Sequence, residues 1–209
     1  MSKIYLVDDD PAVRDSLALL LEQEGFEVQA FEGADALLEA AQPEWRGCAI
    51  VDLRMPSKDG LALQEEMTEL GLLLPVIFLS GHGDIPATVQ AMKQGAVDFL
   101  TKPVTAQALV ASIRTALKVS ESLHAQSQKS QAARTAVNTL TEREREVMHL
   151  VAQGRSNKEV ARVLGISHRT VEIHRARVMR KTSARSEMDL FQLLRASESR
   201  LRLDSPPEA

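Results

Sequence analysis

The chain has a single cysteine in 209 residues. Without a second thiol there is no disulfide framework, and no thiolate metal site of the kind that needs paired cysteines. Cys48 lies in the apolar run Cys48-Ala49-Ile50-Val51 and reads as core. Long apolar runs are also missing. The longest, around Leu72 to Leu79, is interrupted by Pro75 and falls short of the roughly 18 residues that a membrane helix needs. Met1 to Val7 carry one lysine and a short apolar run, without the extended apolar region and small-residue cleavage site of a signal peptide. A cytoplasmic protein with no membrane partner is therefore expected. Glycine and proline are absent from Ser120 to Ser130, a segment rich in Ser, Gln, Ala and Glu. Flexible linkers usually contain glycine or proline, so an exposed helical connector is expected there, reaching about Arg134.

What is present divides into two halves. A length of 209 residues with 44% apolar content suits two modest globular cores. The net charge of −4 conceals an asymmetry: residues 1–137 hold 11 basic against 19 acidic side chains, whereas residues 138–209 hold 14 against 10. Within the second half, Arg155 to Lys181 concentrate eight basic residues against Glu159 and Glu172. Such a basic patch fits a phosphate-backbone contact surface, although a solvated basic face would look the same by charge alone.

The first 120 or so residues alternate short β-branched runs with longer helical patterns, the signature of a parallel sheet covered by helices on both faces. Strands are predicted at Ile4–Val7, Val28–Phe31, Cys48–Leu53, Val76–Ser80 and Val97–Thr101. Pro11 to Glu24 place Val13, Leu17, Leu20 and Leu21 on one helical face, opened by Asp10-Pro11 and closed by Gly25. Gly60 to Leu70 and Ile85 to Gln94 read as further helices, and Asp59-Gly60 reads as a plain turn.

The second half carries clear helix punctuation. Thr141-Glu142-Arg143-Glu144 and Ser156-Asn157-Lys158-Glu159 are capping boxes, and Gly154 and Gly165 close the helices they open. Ser167 caps a third helix, about Arg169 to Lys181, and Ser186 a fourth, reaching about Arg195. Two short helices joined across Gly165-Ile166-Ser167 make a helix-turn-helix. On the third helix Val171 and Val178 fall on one side, with Arg169, Glu172, Ile173, Ala176, Arg177 and Arg180 opposite. Leu190, Leu193 and Leu194 form an apolar stripe that so small a domain is not expected to cover fully.

In a doubly wound sheet, functional groups collect beyond the carboxyl ends of the strands. The sequence places Asp8 and Asp9 after the first strand, Asp52 at the third, Ser80 at the fourth and Lys102 after the fifth. Three converging carboxylates repel one another without a cation, and hard oxygen donors at an open site suit Mg²⁺. Such a site can stabilise phosphoryl transfer to a carboxylate oxygen, with Lys102 pairing the phosphoryl oxygens and the Ser80 hydroxyl donating to them. Asp10, followed by Pro11, reads as a helix cap and not as a ligand.

Val7-Asp8-Asp9-Asp10, Asp52-Leu53-Arg54-Met55-Pro56, Ser80-Gly81-His82-Gly83-Asp84 and Lys102-Pro103 together resemble the receiver domain of two-component response regulators, in particular the FixJ subgroup. Leu140 to Glu144, Asn157 to Ala161 and Arg169 to Arg175 resemble the output domain of the LuxR, NarL and FixJ type. The pattern is also similar to that of regulators of aromatic-hydrocarbon catabolism. The resemblance implies a five-stranded sheet of order 2-1-3-4-5 in a receiver at 1–119, a linker at 120–137, a four-helix DNA-binding domain at 138–200 and a tail at 201–209. It implies Asp52 as phosphoacceptor, and Mg²⁺ or Mn²⁺ on Asp8, Asp9, Asp52 and the Arg54 carbonyl. Ser80 and Phe99 become the switch pair, Lys102 the phosphate partner, and a cis bond before Pro103 is suggested. Glu172, Ile173 and Ala176 fall on base-reading positions, while Lys158, Arg169, Thr170, His174, Arg175, Arg177 and Lys181 complete the DNA-contacting set. The implied partners are a sensor histidine kinase, promoter DNA, RNA polymerase and a second copy of the chain. Pairing is implied around Asp84 to Thr101 and through the last helix.

Two other classes use related features. A Mg²⁺-dependent phosphohydrolase also forms an aspartyl phosphate but commonly carries a second acid two residues after the nucleophile, where this chain has Arg54. A ligand-activated regulator with the same output domain would need an apolar pocket in place of the acidic strand ends.

Overall fold

A computed structural model describes residues 3–81 and 85–199, so His82, Gly83, Asp84 and the 201–209 tail lie outside the described residues. The chain forms two compact units, one of which ends at His124 while the other starts at Ala125.

The first unit is a five-stranded parallel sheet in the order β2-β1-β3-β4-β5. Its strands are β1 (Lys3–Val7), β2 (Glu27–Phe31), β3 (Cys48–Asp52), β4 (Val76–Ser80) and β5 (Asp98–Thr101). The central strands β3 and β4 are buried throughout, as strands covered on both faces must be, and this is why they read as continuous apolar runs. Alternate residues point to opposite faces. Tyr5, Val7, Ala49, Val51 and Phe78 pack with Leu37, Leu63 and Met67 on one side, while Ile4, Leu6, Ile50, Ile77 and Leu79 pack with Leu17, Leu21, Leu109 and Ile113 on the other. Cys48 belongs to the second layer, and burial pushes its thiol up to about 12.

The helices of this unit are α1 (Pro11–Gln23), α2 (Ala34–Ala40), α3 (Gly60–Glu69), α4 (Ile85–Lys93) and the first part of α5 (Ala106–Asn138). Asp10 caps α1, its carboxylate accepting the Ala12 amide at 2.8 Å. The sequence patterns miss α2. It has seven residues, and Gly33 before it offers no side-chain cap, so neither length nor punctuation announces it. The Asp59-Gly60 pair is more than a turn: Asp59 caps α3 and Gly60 is buried beneath the end of β3. A Cβ on Gly60 would stand 2.7 Å from the Asp52 carbonyl oxygen and 2.8 Å from the Phe78 ring. Helix α5 continues to Asn138, beyond Arg134, and contains residues 120–137.

The second unit holds the end of α5 with α6 (Glu142–Ala152), α7 (Asn157–Leu164), α8 (His168–Thr182) and α9 (Glu187–Glu198). Thr141, Ser156 and Ser186 each close a reciprocal capping box. Gly165 ends α7 at φ +64°, a left-handed conformation that glycine adopts without a Cβ clash. Val147, Met148, Val151, Val160, Val171, Val178, Leu190 and Leu194 make the core. Leu190 and Leu194 are therefore covered within the domain, and of the expected stripe only Leu193 stays half-buried. The exposed apolar side chains of α9 are Met188 and Phe191. At its other end, Ser130 donates to the Ala196 carbonyl at 2.8 Å and Arg134 to those of Ser197 and Ser199 at 3.0 and 2.9 Å. These bonds satisfy carbonyls that a helix end leaves without partners.

Because Gly60 has backbone and ring atoms at contact distance, Gly60→Ala is expected to destabilise the first unit by about 1–3 kcal/mol. Urea unfolding followed by the fluorescence of Trp45, which packs against that unit's core, measures it.

Candidate functional site

The carboxyl edge of the sheet gathers the polar residues expected there. Asp8 is buried, with an exposure of 1%, and its neighbour Asp9 is exposed. Asp8 is held from four directions. Its amide donates to the Phe31 carbonyl, and its Oδ1 accepts the Asp10 amide at 3.0 Å. Its carbonyl accepts Arg14 Nη1 at 2.7 Å, and its Oδ2 accepts Lys102 Nζ at 2.7 Å. Asp52 ends β3 and is also buried. Its Oδ2 accepts the Arg54 amide at 2.8 Å, and its Oδ1 takes a second hydrogen bond from Lys102 Nζ.

Lys102 is thus the cation between two buried carboxylates. Burial opposes its charge, but the hydrogen bonds to Asp52 and Asp8 outweigh burial and hold its pKa above the ordinary lysine value. Burial pushes Asp52 up, while Lys102 and the Arg54 amide pull against that shift. The backbone keeps the lysine in place, since the Lys102 amide donates to the Ser80 carbonyl at 2.7 Å; the Lys102–Pro103 bond is cis, as the resemblance suggests. Ser80 is buried at the end of β4, and Phe99 is half-buried on β5 beside Phe78, with ring centroids 6.3 Å apart.

Among the described residues, Asp8, Asp9 and Asp52 do not form a closed three-carboxylate cage. Asp9 faces solvent, and the cation bridging the other two is the ammonium of Lys102. Two buried carboxylates share one ammonium, with the exposed Asp9 adjacent in sequence, and all these donors are hard oxygens, so the residue set fits a small divalent cation. Sequence reasoning missed Arg14, whose distance of six residues from Asp8 carries no recognisable motif. It also missed Lys58, which ties Asp35 of α2 and Glu66 of α3 to the loop after β3 at 2.9 and 2.7 Å.

In the second unit the two faces of α8 are largely where the helical wheel puts them. Val171 and Val178 are buried, whereas Arg169, Ile173, Ala176, Arg177 and Arg180 are exposed. Glu172, Ile173, Ala176 and Met179, with Asn157 of α7, line a groove of about 550 Å³. Glu172 pairs with Arg169 at 3.2 Å, and the Thr170 hydroxyl lies 2.7 Å from that of the cap residue Ser167. Lys158 is exposed, and His174 is half-buried with its Nδ1 enclosed.

Two residues of the expected DNA-contacting set are engaged inside the domain. Lys181 donates to Glu144 at 2.7 Å and to the Thr139 carbonyl at 3.1 Å, and Arg175 bridges Asn157 and Glu187. Glu144 is nearly inaccessible, and Lys181 with the Thr141 backbone amide pulls its carboxyl down to about 2.

Residues 4–114 match the response regulator receiver domain family, and residues 138–194 match the bacterial regulatory proteins of the luxR family. The chain is 41% identical to the tetrathionate response regulatory protein TtrR of Salmonella typhimurium, over 99% of this chain and 100% of that one. It is 43% identical to the transcriptional regulatory protein FixJ of Bradyrhizobium diazoefficiens, over 91% and 93% of the two chains. The structure of response regulator StyR superposes with a TM-score of 0.78 at 39% identity, covering 92% of this chain and 98% of that one. The chain belongs to the two-component response regulators that carry a LuxR-type DNA-binding output domain.

The pKa of Glu144 is lowered on folding, so the Lys181–Glu144 pair stabilises the fold above the ordinary carboxylate range and is lost as pH falls toward about 2. Lys181→Met is expected to lower the melting temperature at pH 7, with the gap from wild type closing between about pH 4.5 and 2. A gap independent of pH over that interval would show that the pair does not contribute through Glu144 ionisation.

Proposed function

We propose that Asp52 accepts a phosphoryl group from the phosphohistidine of a cognate sensor kinase, and that this modification promotes pairing of two chains on promoter DNA. The observation that carries the reading is the placement of the Asp52 carboxylate. It stands at a strand end beside buried Asp8, hydrogen-bonded by the Arg54 amide and by a lysine that the β4–β5 backbone holds in place. An Asp52 carboxylate oxygen attacks phosphorus, the P–N bond breaks with its electron pair going to the imidazole, and solvent returns a proton to that ring. Lys102 then exchanges the lost carboxylate charge for the new phosphoryl oxygens, and the Ser80 hydroxyl donates to them.

Asp8, Asp9, Asp52 and the Arg54 carbonyl are the donors for Mg²⁺ or Mn²⁺, which when bound supplies positive charge against the phosphoryl oxygens. The protein is not a turnover enzyme, and hydrolysis of the phospho-aspartate is slow. Ser80 drawn toward the phosphoryl group makes room for Phe99 to turn inward. Receiver pairing then uses the face of α4 on which Ile85, Val89 and Met92 are exposed. The output domains pair through Met188 and Phe191 of α9, so that two α8 helices meet half-sites about one turn of DNA apart.

Readout by Glu172, Ile173 and Ala176 is sparse, limited to a cytosine amino group and thymine methyls. Arg169, Arg177 and Lys158, with Thr170 and His174, supply backbone contacts. RNA polymerase is the partner at the promoter, and the cytoplasm is where kinase and DNA are both reached.

Incubation with acetyl phosphate and Mg²⁺ is expected to add one phosphoryl group in the wild-type chain and none in Asp52→Asn, with intact-mass measurement as the readout. Lys102→Ala is expected to slow labelling by at least tenfold, by removal of a charge-assisted hydrogen bond. Rapid turnover of a small phosphate ester would instead mark a phosphohydrolase, and an unchanged mass in solution after loading with beryllofluoride would remove the pairing step.

A further inference from the structure

Charge groups Arg175 with the phosphate ligands of α8, but its surroundings assign it differently. Its Nη1 donates to Asn157 Oδ1 at 3.2 Å and its Nη2 to Glu187 Oε1 at 2.6 Å. Asn157 is the first residue of α7 and Glu187 the first of α9. One planar guanidinium therefore joins the middle of the recognition helix to the starts of the helices on either side. Its donors have a fixed angular relation, so holding both acceptors sets the rotation of α8 as well as its distance from α7 and α9.

Exposure and the choice of partner separate this arrangement from that of Arg169, which pairs with Glu172 inside its own helix. The Arg175 side chain is 29% exposed, whereas that of Arg169 is 82% exposed. Arg175 and Arg169 both line the groove with Glu172, Ile173 and Ala176, so a rotation of α8 about its axis would move that whole face. The partner Glu187 is 45% exposed, and an ion pair this open to water adds little net stability. Losing it should leave the domain folded while loosening the setting of the helix. That setting matters most for base contacts, which depend on sub-ångström placement, and least for phosphate contacts made by long flexible arms.

We propose that Arg175 is a positioning residue for sequence readout: through Asn157 and Glu187 it fixes the recognition helix against α7 and α9, and it is not a phosphate ligand. The proposal rests on α8 reading DNA through Ile173 and its neighbours, and the test separates the two.

The test uses the full chain loaded with Mg²⁺ and beryllofluoride. Binding is measured by fluorescence anisotropy on a duplex selected from a random pool by the wild-type protein, and on a scrambled duplex of the same composition, across a salt series. Arg175→Met and Glu187→Gln are each expected to reduce the ratio of selected to scrambled affinity by about tenfold, leaving the salt slope unchanged. The double variant should be no worse than either single one. The charge swap, Arg175→Glu with Glu187→Arg, should recover most of the ratio.

A phosphate ligand behaves otherwise: Arg175→Met would weaken both duplexes and flatten the slope by about 0.9, while Glu187→Gln would bind as wild type. That result overturns the proposal, as would a lowered melting temperature in both variants with the affinity ratio intact. Ile173→Ser monitors the readout face by itself. No change there would overturn the reading assignment of α8 and the proposal with it, whereas a change there with none in Glu187→Gln would overturn the clamp alone.

Discussion

Asp8 and Asp52 are buried side by side, and the ammonium of Lys102 makes that proximity tolerable. Two uncompensated carboxylates in a low-dielectric pocket would protonate or open the structure to water. The sheet solves the problem by register. Parallel β1, β3 and β4 bring the two aspartates to one edge, and the hydrogen bond from the Lys102 amide to the Ser80 carbonyl delivers the lysine to the same edge. The parts of the site then depend on one another. Arg14 fixes the backbone of Asp8, the Arg54 amide fixes one oxygen of Asp52, and Lys102 bridges what is left. Any change of charge at Asp52 must disturb this bridge, because Lys102 balances that carboxylate together with Asp8.

The output unit applies the same rule to a different end. Glu144 is buried, and it stays ionised because Lys181 reaches it from α8 and because it completes the capping box with Thr141. Here the compensated carboxylate is structural: it joins the first turn of α6 to the last turn of α8. Arg175 makes a similar junction at the other side of α8. Two of the cations that give the segment its basic character are consequently spent on holding the helix, and the exposed cations left on α8 are Arg169, Arg177 and Arg180.

Much of this was legible along the chain because it depends on local chemistry. Serine, threonine and aspartate caps announce the starts of α1, α6, α7, α8 and α9, since each accepts an amide within three residues of itself. The buried strands announce themselves as apolar runs. Where signals were weak, the elements were invisible or misjudged: α2 is too short and too poorly capped to read, and the cover over Leu190 and Leu194 was underestimated because a helical pattern does not say which side a small core will cover. Gly60 looked like half of a turn because its crowding comes from Asp52 and Phe78, which only the folded chain brings near.

Along the chain, local chemistry marks which residues could carry charge into the interior and where the capped helices begin, because those preferences act over a few bonds. It could not decide how the charges pair. Lys102 is 94 residues from Asp8 and 50 from Asp52, and Lys181 is 37 from Glu144. Such partners are selected by strand register and helix packing, and only the tertiary structure decides whether a basic side chain ends in solvent, on DNA or against a buried acid.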